Sequence, residues 1–281
     1  MKDFKDLKKR LFISFFAILL VASLVTFSSY LFVKFLVVIV ICAIASIATL
    51  EFIEISKKKD IILSKNLLLT SSVFLVISFF ILSMYQTLNV LPVLVFLIFF
   101  IFLFFNEFKK IEGSISRIAY SIFALIFISV PIGMILPILF MDYFEIQDGR
   151  YWVLYILLVT KVTDIGAYFG GRLFGRKKLH KKVSPKKTII GSISGIIIAV
   201  ITSVLLSFLH EKDVFDISLF QSIFLALILA VFSQFGDLSE SLLKRDAKIK
   251  DSNALPAIGG VFDMIDSLIF NIPIMYLFLI G

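Results

Sequence analysis

Residues 189–209, IIGSISGIIIAVITSVLLSFL, run for 21 positions without a charged side chain. Roughly 20 apolar residues in a helix cross the hydrocarbon core of a bilayer. Inside lipid the backbone must satisfy its own hydrogen bonds, which leaves only α-helices and closed β-barrels. Barrel strands alternate apolar and polar side chains in segments of about ten residues, and no part of this chain does so. The repeated apolar runs therefore predict an all-α polytopic integral membrane protein. Nine spans are expected, at 11–28, 31–50, 67–84, 90–106, 118–140, 151–169, 189–209, 218–236 and 260–280. The balance of residues agrees, with 60% apolar and 17% charged in a 281-residue chain, against about 45–50% and 25% in soluble domains. The first run follows MKDFKDLKKR and lacks a small-residue cleavage site, so it is read as a retained helix.

Charge sets the orientation. Segments 1–10, 51–66, 107–117, 170–188 and 237–259 hold 24 of the 28 Lys and Arg residues. All five fall on one side if the spans alternate. The positive-inside rule then puts the N-terminus and the basic loops in the cytoplasm, across a membrane expected to be the bacterial inner one. Much of this charge is read as topology and attraction to anionic headgroups, at about 1 kcal/mol per basic residue, and not as a nucleic-acid surface.

The two halves read differently. Residues 1–150 are expected to form about five spans with a lipid-facing or packing role, and they carry few polar residues inside those spans. Residues 151–281 hold the polar positions and are expected to form the catalytic region. Cys42 is the one cysteine, and His180 and His210 are the two histidines. Any metal site must then be built from carboxylates, which favours Mg²⁺ or a similar hard cation.

One informative stretch is TKVTDIGAYFGGRLFGRKKLHKKVSPKKTIIGSISG. Lys161 and Asp164 lie three apart on one face of the sixth span, and ionisable groups within a membrane mark function by default. Gly166 and Gly170 are spaced for close helix packing. Ser184, Lys186, Lys187 and Thr188 precede a helix starting near Ile189. Free N–H groups and the helix dipole at such a terminus suit phosphate.

The second stretch is SQFGDLSESLLKRDAKIKDSNALPAIGGVFDMID. Asp237, Glu240, Ser241, Lys244 and Lys248 share one helical stripe, with Arg245 beside it. Pro256 and Gly259–Gly260 break the helix and let backbone approach a ligand closely. Asp263 and Asp266 follow inside the first turns of the ninth span. A shared cation explains two acids entering the membrane, because Mg²⁺ takes carboxylates together with substrate phosphates. Carboxylates for a metal beside Lys and Arg for phosphates are what phosphoryl or nucleotidyl transfer needs.

With both stretches quoted, the chain resembles the phosphatidate cytidylyltransferases, also called CDP-diacylglycerol synthases. Ser241, Lys244, Arg245, Lys250, Asp251, Pro256, Gly259, Gly260, Asp263 and Asp266 follow the order of the family signature. Asp164, Gly166, Ala167, Tyr168, Gly175, Ser184, Pro185, Lys187, Thr188 and Gly191 match its upstream block, and Gly236, Asp237 and Glu240 a third. Ala257–Ile258 stand where the family has Gly-His, and Met264 where it has Arg. The resemblance implies transfer of CMP from CTP to phosphatidate, giving CDP-diacylglycerol and pyrophosphate in phospholipid biosynthesis. It implies Mg²⁺ on Asp237 and Asp263, with a second, monovalent ion as a further possibility. Phosphates are expected on Lys186, Lys187, Lys244 and Arg245, and loop or nucleotide contacts at Lys250 and Asp251. Asp164, Glu240 and Asp266 are expected as auxiliary acids. A homodimer is also implied. The alternatives are a related transferase acting on another lipid phosphate, such as an isoprenoid or ether lipid, and, more remotely, an ion-coupled transporter using Lys161, Asp164 and Asp263.

Overall fold

A computed structural model describes residues 19–140, 148–208, 217–249 and 260–281 of the chain. The fold is all-α apart from one small hairpin. Seven helical segments among the described residues are long and apolar enough to cross a membrane: Leu31–Lys57, Lys65–Met84, Gln86–Glu107, Ser114–Phe140, Gly149–Phe174, Ile189–Phe208 and Leu219–Asp246. These correspond to seven of the nine expected spans. Of the first expected span, 11–18 lies outside the described residues and 19–26 is helical. The ninth is not one continuous helix, because a turn at Asp266–Ser267 divides it.

Helix α1 (Leu31–Lys57) packs on α2 (Lys65–Met84). Helix α3 (Leu91–Glu107) has Pro92 in its first turn, where a missing N–H costs nothing. The fourth spanning segment is irregular. It begins as α4 (Ser114–Ala124), widens into a π-helical turn at Leu125–Ser129, then continues as α5 (Val130–Gly133) and α6 (Ile135–Phe140). Pro131 and Pro137 account for this. Each removes one ladder donor and crowds the carbonyl four residues back, and a widened turn accommodates the missing bond.

Helix α7 (Gly149–Phe174) opens on Asp148, whose side chain accepts from the Arg150 N–H. It makes the molecule's most extensive helix pair with α8 (Ile189–Phe208). The reason lies in small residues on both partners. A Cβ on Gly170 would fall 2.3 Å from the Ser194 Cβ, and one on Gly195 would fall 2.7 Å from the Thr163 carbonyl. The Gly166/Gly170 spacing, expected to mark close helix packing, is thus taken up inside the chain. Between α7 and α8 lies a hairpin that the apolar pattern did not announce: β1 (Lys178–His180) pairs antiparallel with β2 (Ser184–Thr188). His180 closes the turn by accepting from the Val183 N–H.

Helix α9 (Leu219–Asp246) starts on a reciprocal capping box between Ser218 and Gln221 and ends with Lys244 and Arg245 in its last turn, which suits the helix dipole. The stripe expected to reach Lys248 stops with the helix at Asp246. Lys248 itself adopts a left-handed conformation with φ of 58°. Two short pieces complete the fold, α10 (Val261–Ile265) and α11 (Leu268–Ile280). Helix α10 rests mainly on α1, and α11 packs on α9 and α7.

Candidate functional site

The strand period separates two adjacent lysines. Side chains alternate faces along β2, so Lys186 points to the exposed side while Lys187 turns inward. Lys187 Nζ meets Asp237 Oδ2 at 2.6 Å. The hairpin is fastened from the other side by Arg245, whose Nε donates to the Val183 carbonyl at 3.3 Å. Thr188 sits where strand becomes helix and caps it. Its Oγ1 accepts from the Gly191 N–H, while the Ile189 N–H donates to the Lys177 carbonyl. Two of the N–H groups expected to be free for phosphate are therefore already engaged.

On α9, Asp237, Glu240 and Lys244 lie three and four apart and face one way. Lys244 Nζ lies 2.6 Å from Glu240 Oε2 and 2.8 Å from Asp263 Oδ1. The carboxyl groups of Glu240 and Asp263 also face each other, as do those of Asp237 and Asp266. Glu240 is almost fully buried, and its Oε1 has no hydrogen-bond partner. Gly236 makes the second pairing possible: a Cβ there would sit 2.2 Å from the Asp266 carbonyl oxygen. The turn at Asp266–Ser267 can press against α9 only because that position is bare.

Lys161 and Asp164 border the same region from α7. Lys161 Nζ stands 3.5 Å from both Asp164 Oδ2 and Ser267 Oγ. Asp164 also feels the charges of Asp237 and Lys187. The structure thus gathers Asp164, Lys187, Asp237, Glu240, Lys244, Asp263 and Asp266. Asp237 and Asp263 are each paired with a different lysine and a different acid. Ser241 is half-buried on α9, Ser184 half-buried on β2, and Gly260 buried ahead of α10. Lys250, Asp251 and Gly259 lie outside the described residues.

Glu51 escaped the sequence reading, which ended the second span at Leu50 and placed Glu51 in a loop. Helix α1 instead continues to Lys57, and Glu51 is 1% exposed. Its two carboxylate oxygens accept from the Val261 N–H at 2.9 Å and the Phe262 N–H at 2.8 Å. The signal was present: Phe52, Ile53 and Ile55 carry the apolar run past Glu51, placing that acid within the helix.

Whether these groups suit a cation can be judged from the donors themselves. Facing carboxylates repel unless a proton or cation lies between them, and the unpartnered Glu240 Oε1 is a buried donor of this kind. Among the described residues no three His, Cys, Asp or Glu side chains form a group able to hold a metal alone. A cation bound here would therefore have to draw part of its shell from substrate phosphates and water, as Mg²⁺ usually does.

A family model described as the cytidylyltransferase family matches residues 8–280. A phosphatidate cytidylyltransferase of Chlamydia muridarum is 36% identical over 174 residues, covering 60% of this chain and 56% of the relative. Proteins of the same name from Staphylococcus haemolyticus and Bacillus subtilis are each 40% identical, over 135 and 134 residues. These cover 48% and 47% of this chain and 51% and 49% of the relatives. The chain thus spans about half the length of the curated relatives it matches.

Proposed function

The chain belongs to the cytidylyltransferase family, and from that premise we propose that it transfers CMP from CTP to phosphatidate, giving CDP-diacylglycerol and pyrophosphate. The observation that carries this reading is the two pairs of facing carboxylates between α9 and the α10–α11 segment, Asp237/Asp266 and Glu240/Asp263, each pair with a lysine within 2.8 Å. Such a site collects cations for phosphates and acids for a metal in one cluster of an integral membrane protein.

In this reaction a phosphate oxygen of phosphatidate forms a bond to the α-phosphorus of CTP. The bond from that phosphorus to the oxygen bridging the β-phosphorus breaks, and pyrophosphate leaves with the electron pair. The attacking oxygen is already anionic, since a phosphate monoester has a second pKa of about 6. No general base is needed, which suits a site without histidine. The obstacle is repulsion between two anionic reactants. Lys187 and Lys244 relieve it by exchanging part of their contact with Asp237 and Asp263 for phosphate oxygens. Asp237 and Asp263 would hold Mg²⁺, with Asp266 and Glu240 as facing acids; bound there, the ion would neutralise charge developing on the phosphates. Lys186 and Arg245, on the exposed side, meet the nucleotide as it arrives. Asp164 orients Lys161 and Lys187.

The basic segments support a site open to the cytoplasm, with CTP entering from water and the lipid from the leaflet. Purified protein given labelled CTP, phosphatidate and Mg²⁺ is expected to form CDP-diacylglycerol. EDTA should stop turnover and Mg²⁺ restore it. Asp237→Ala and Asp263→Ala should lose the product, while Lys178→Ala should keep it. Turnover surviving both aspartate changes overturns the metal assignment. Turnover only with an isoprenoid or ether-lipid phosphate moves the substrate to that class.

A further inference from the structure

Helix α10 has five residues and no side-chain cap of its own, because Gly260 stands at its start. So short a helix does not hold its shape unaided. Its first two N–H groups are buried with Val261 and Phe262, and buried backbone donors must find acceptors. Glu51 supplies both, one to each carboxylate oxygen, from a helix more than two hundred positions earlier in the chain. A second anchor is aromatic: the Phe262 ring packs edge-on against Phe127 at 6.2 Å, and Phe127 stacks on Phe123 at 4.9 Å. Asp263 is the next residue, so any shift of α10 moves the carboxylate that meets Lys244 and Glu240.

We propose that Glu51 is a positioning residue of the transfer site. From α1 it fixes the turn that carries Asp263, which makes the N-terminal half part of the site's working parts as well as its packing. Glu51 touches no reactant; it acts through the backbone of α10. The inference rests on the proposed reaction and its cation only where turnover is read.

Glu51→Gln keeps the shape but turns an amide NH₂ toward one of the two N–H donors. Glu51→Asp keeps the charge and withdraws it by one methylene. Hydrogen–deuterium exchange of the full-length protein in detergent reads the first consequence. In both variants the amides of 261–266 exchange faster, while those of α7 and α8 keep their protection. Turnover reads the second: half-saturating Mg²⁺ rises about ten- to a hundredfold, as for other residues that orient a metal ligand. A purely structural role would lower the active fraction and leave half-saturating Mg²⁺ unchanged. Unaltered exchange at 261–266 in both variants overturns the proposal. So does exchange that rises evenly along the whole chain, or an unchanged Mg²⁺ requirement in a variant that folds. If the wild-type protein makes no CDP-diacylglycerol, the reaction assignment fails, and the exchange measurement still decides the role of Glu51.

Discussion

From α1 to α6 the buried polar side chains are mostly hydroxyls, and they look to one another or to their own helix. Ser129 Oγ donates to Ser72 Oγ at 2.9 Å, Thr49 reaches the same serine, and Ser78 bonds back to the Leu75 carbonyl. From α7 to α11 hydroxyl networks persist, as where Tyr155 and Ser203 join α7 to α8 and α9. Toward the basic end of that half they give way to acids and lysines. A hydroxyl pair suits a membrane interior because it is neutral and can satisfy itself. An acid–lysine cluster is costly there and persists where a function requires it. Buried hydroxyls predominate in the first half and the acid–lysine cluster lies in the second, with Glu51 as the crossing point.

The contrast can be broken or sharpened by substitution. The largest effect belongs to Asp237→Asn and Asp263→Asn, each expected to lower kcat/KM with CTP by about a thousandfold, or about 4 kcal/mol of transition-state stabilisation. Either variant turning over at near wild-type rate would remove the charged cluster from the chemistry. Lys244→Met comes next. Lys244 is nearly buried between two acids, and removing one partner of such a pair costs about 3–5 kcal/mol. A markedly lower thermal midpoint in detergent is the expected readout. Gly170→Leu drives a side chain into Ser194 and separates α7 from α8, costing about 1–3 kcal/mol by overpacking. It should also weaken turnover, because Lys161 rides on α7 and Lys187 on β2, the strand that leads into α8. The smallest change is Ser72→Ala in the first half, at about 1 kcal/mol with turnover unchanged. A large loss of activity there would erase the distinction between the halves.

Much of this organisation could be read from the residues. Spans follow from apolar run length, which is a one-dimensional property, and seven of the expected nine appear as continuous segments. The acids and lysines stood out because charge is rare in such a chain. Three features did not show. The hairpin at 178–188 is too short and too basic to register against helical periodicity. The division of Asp237 and Asp263 into separate lysine-bound pairs depends on where helices cross, and spacing along one helix carries no information about that. Glu51 lay at the edge of a predicted span, where one residue of boundary error turns a buried acceptor into a loop residue. Its partners are backbone N–H groups, which any sequence would supply.

Glu51 also has a consequence for how the protein is made. Its hydrogen-bond partner Val261 lies 210 positions later. At about 5–20 residues per second, synthesis leaves that carboxyl group waiting roughly ten to forty seconds inside a nascent membrane protein. The last part of the chain to emerge thus closes onto the first, and a ribosome that stops short of residue 261 leaves Glu51 without these two N–H donors.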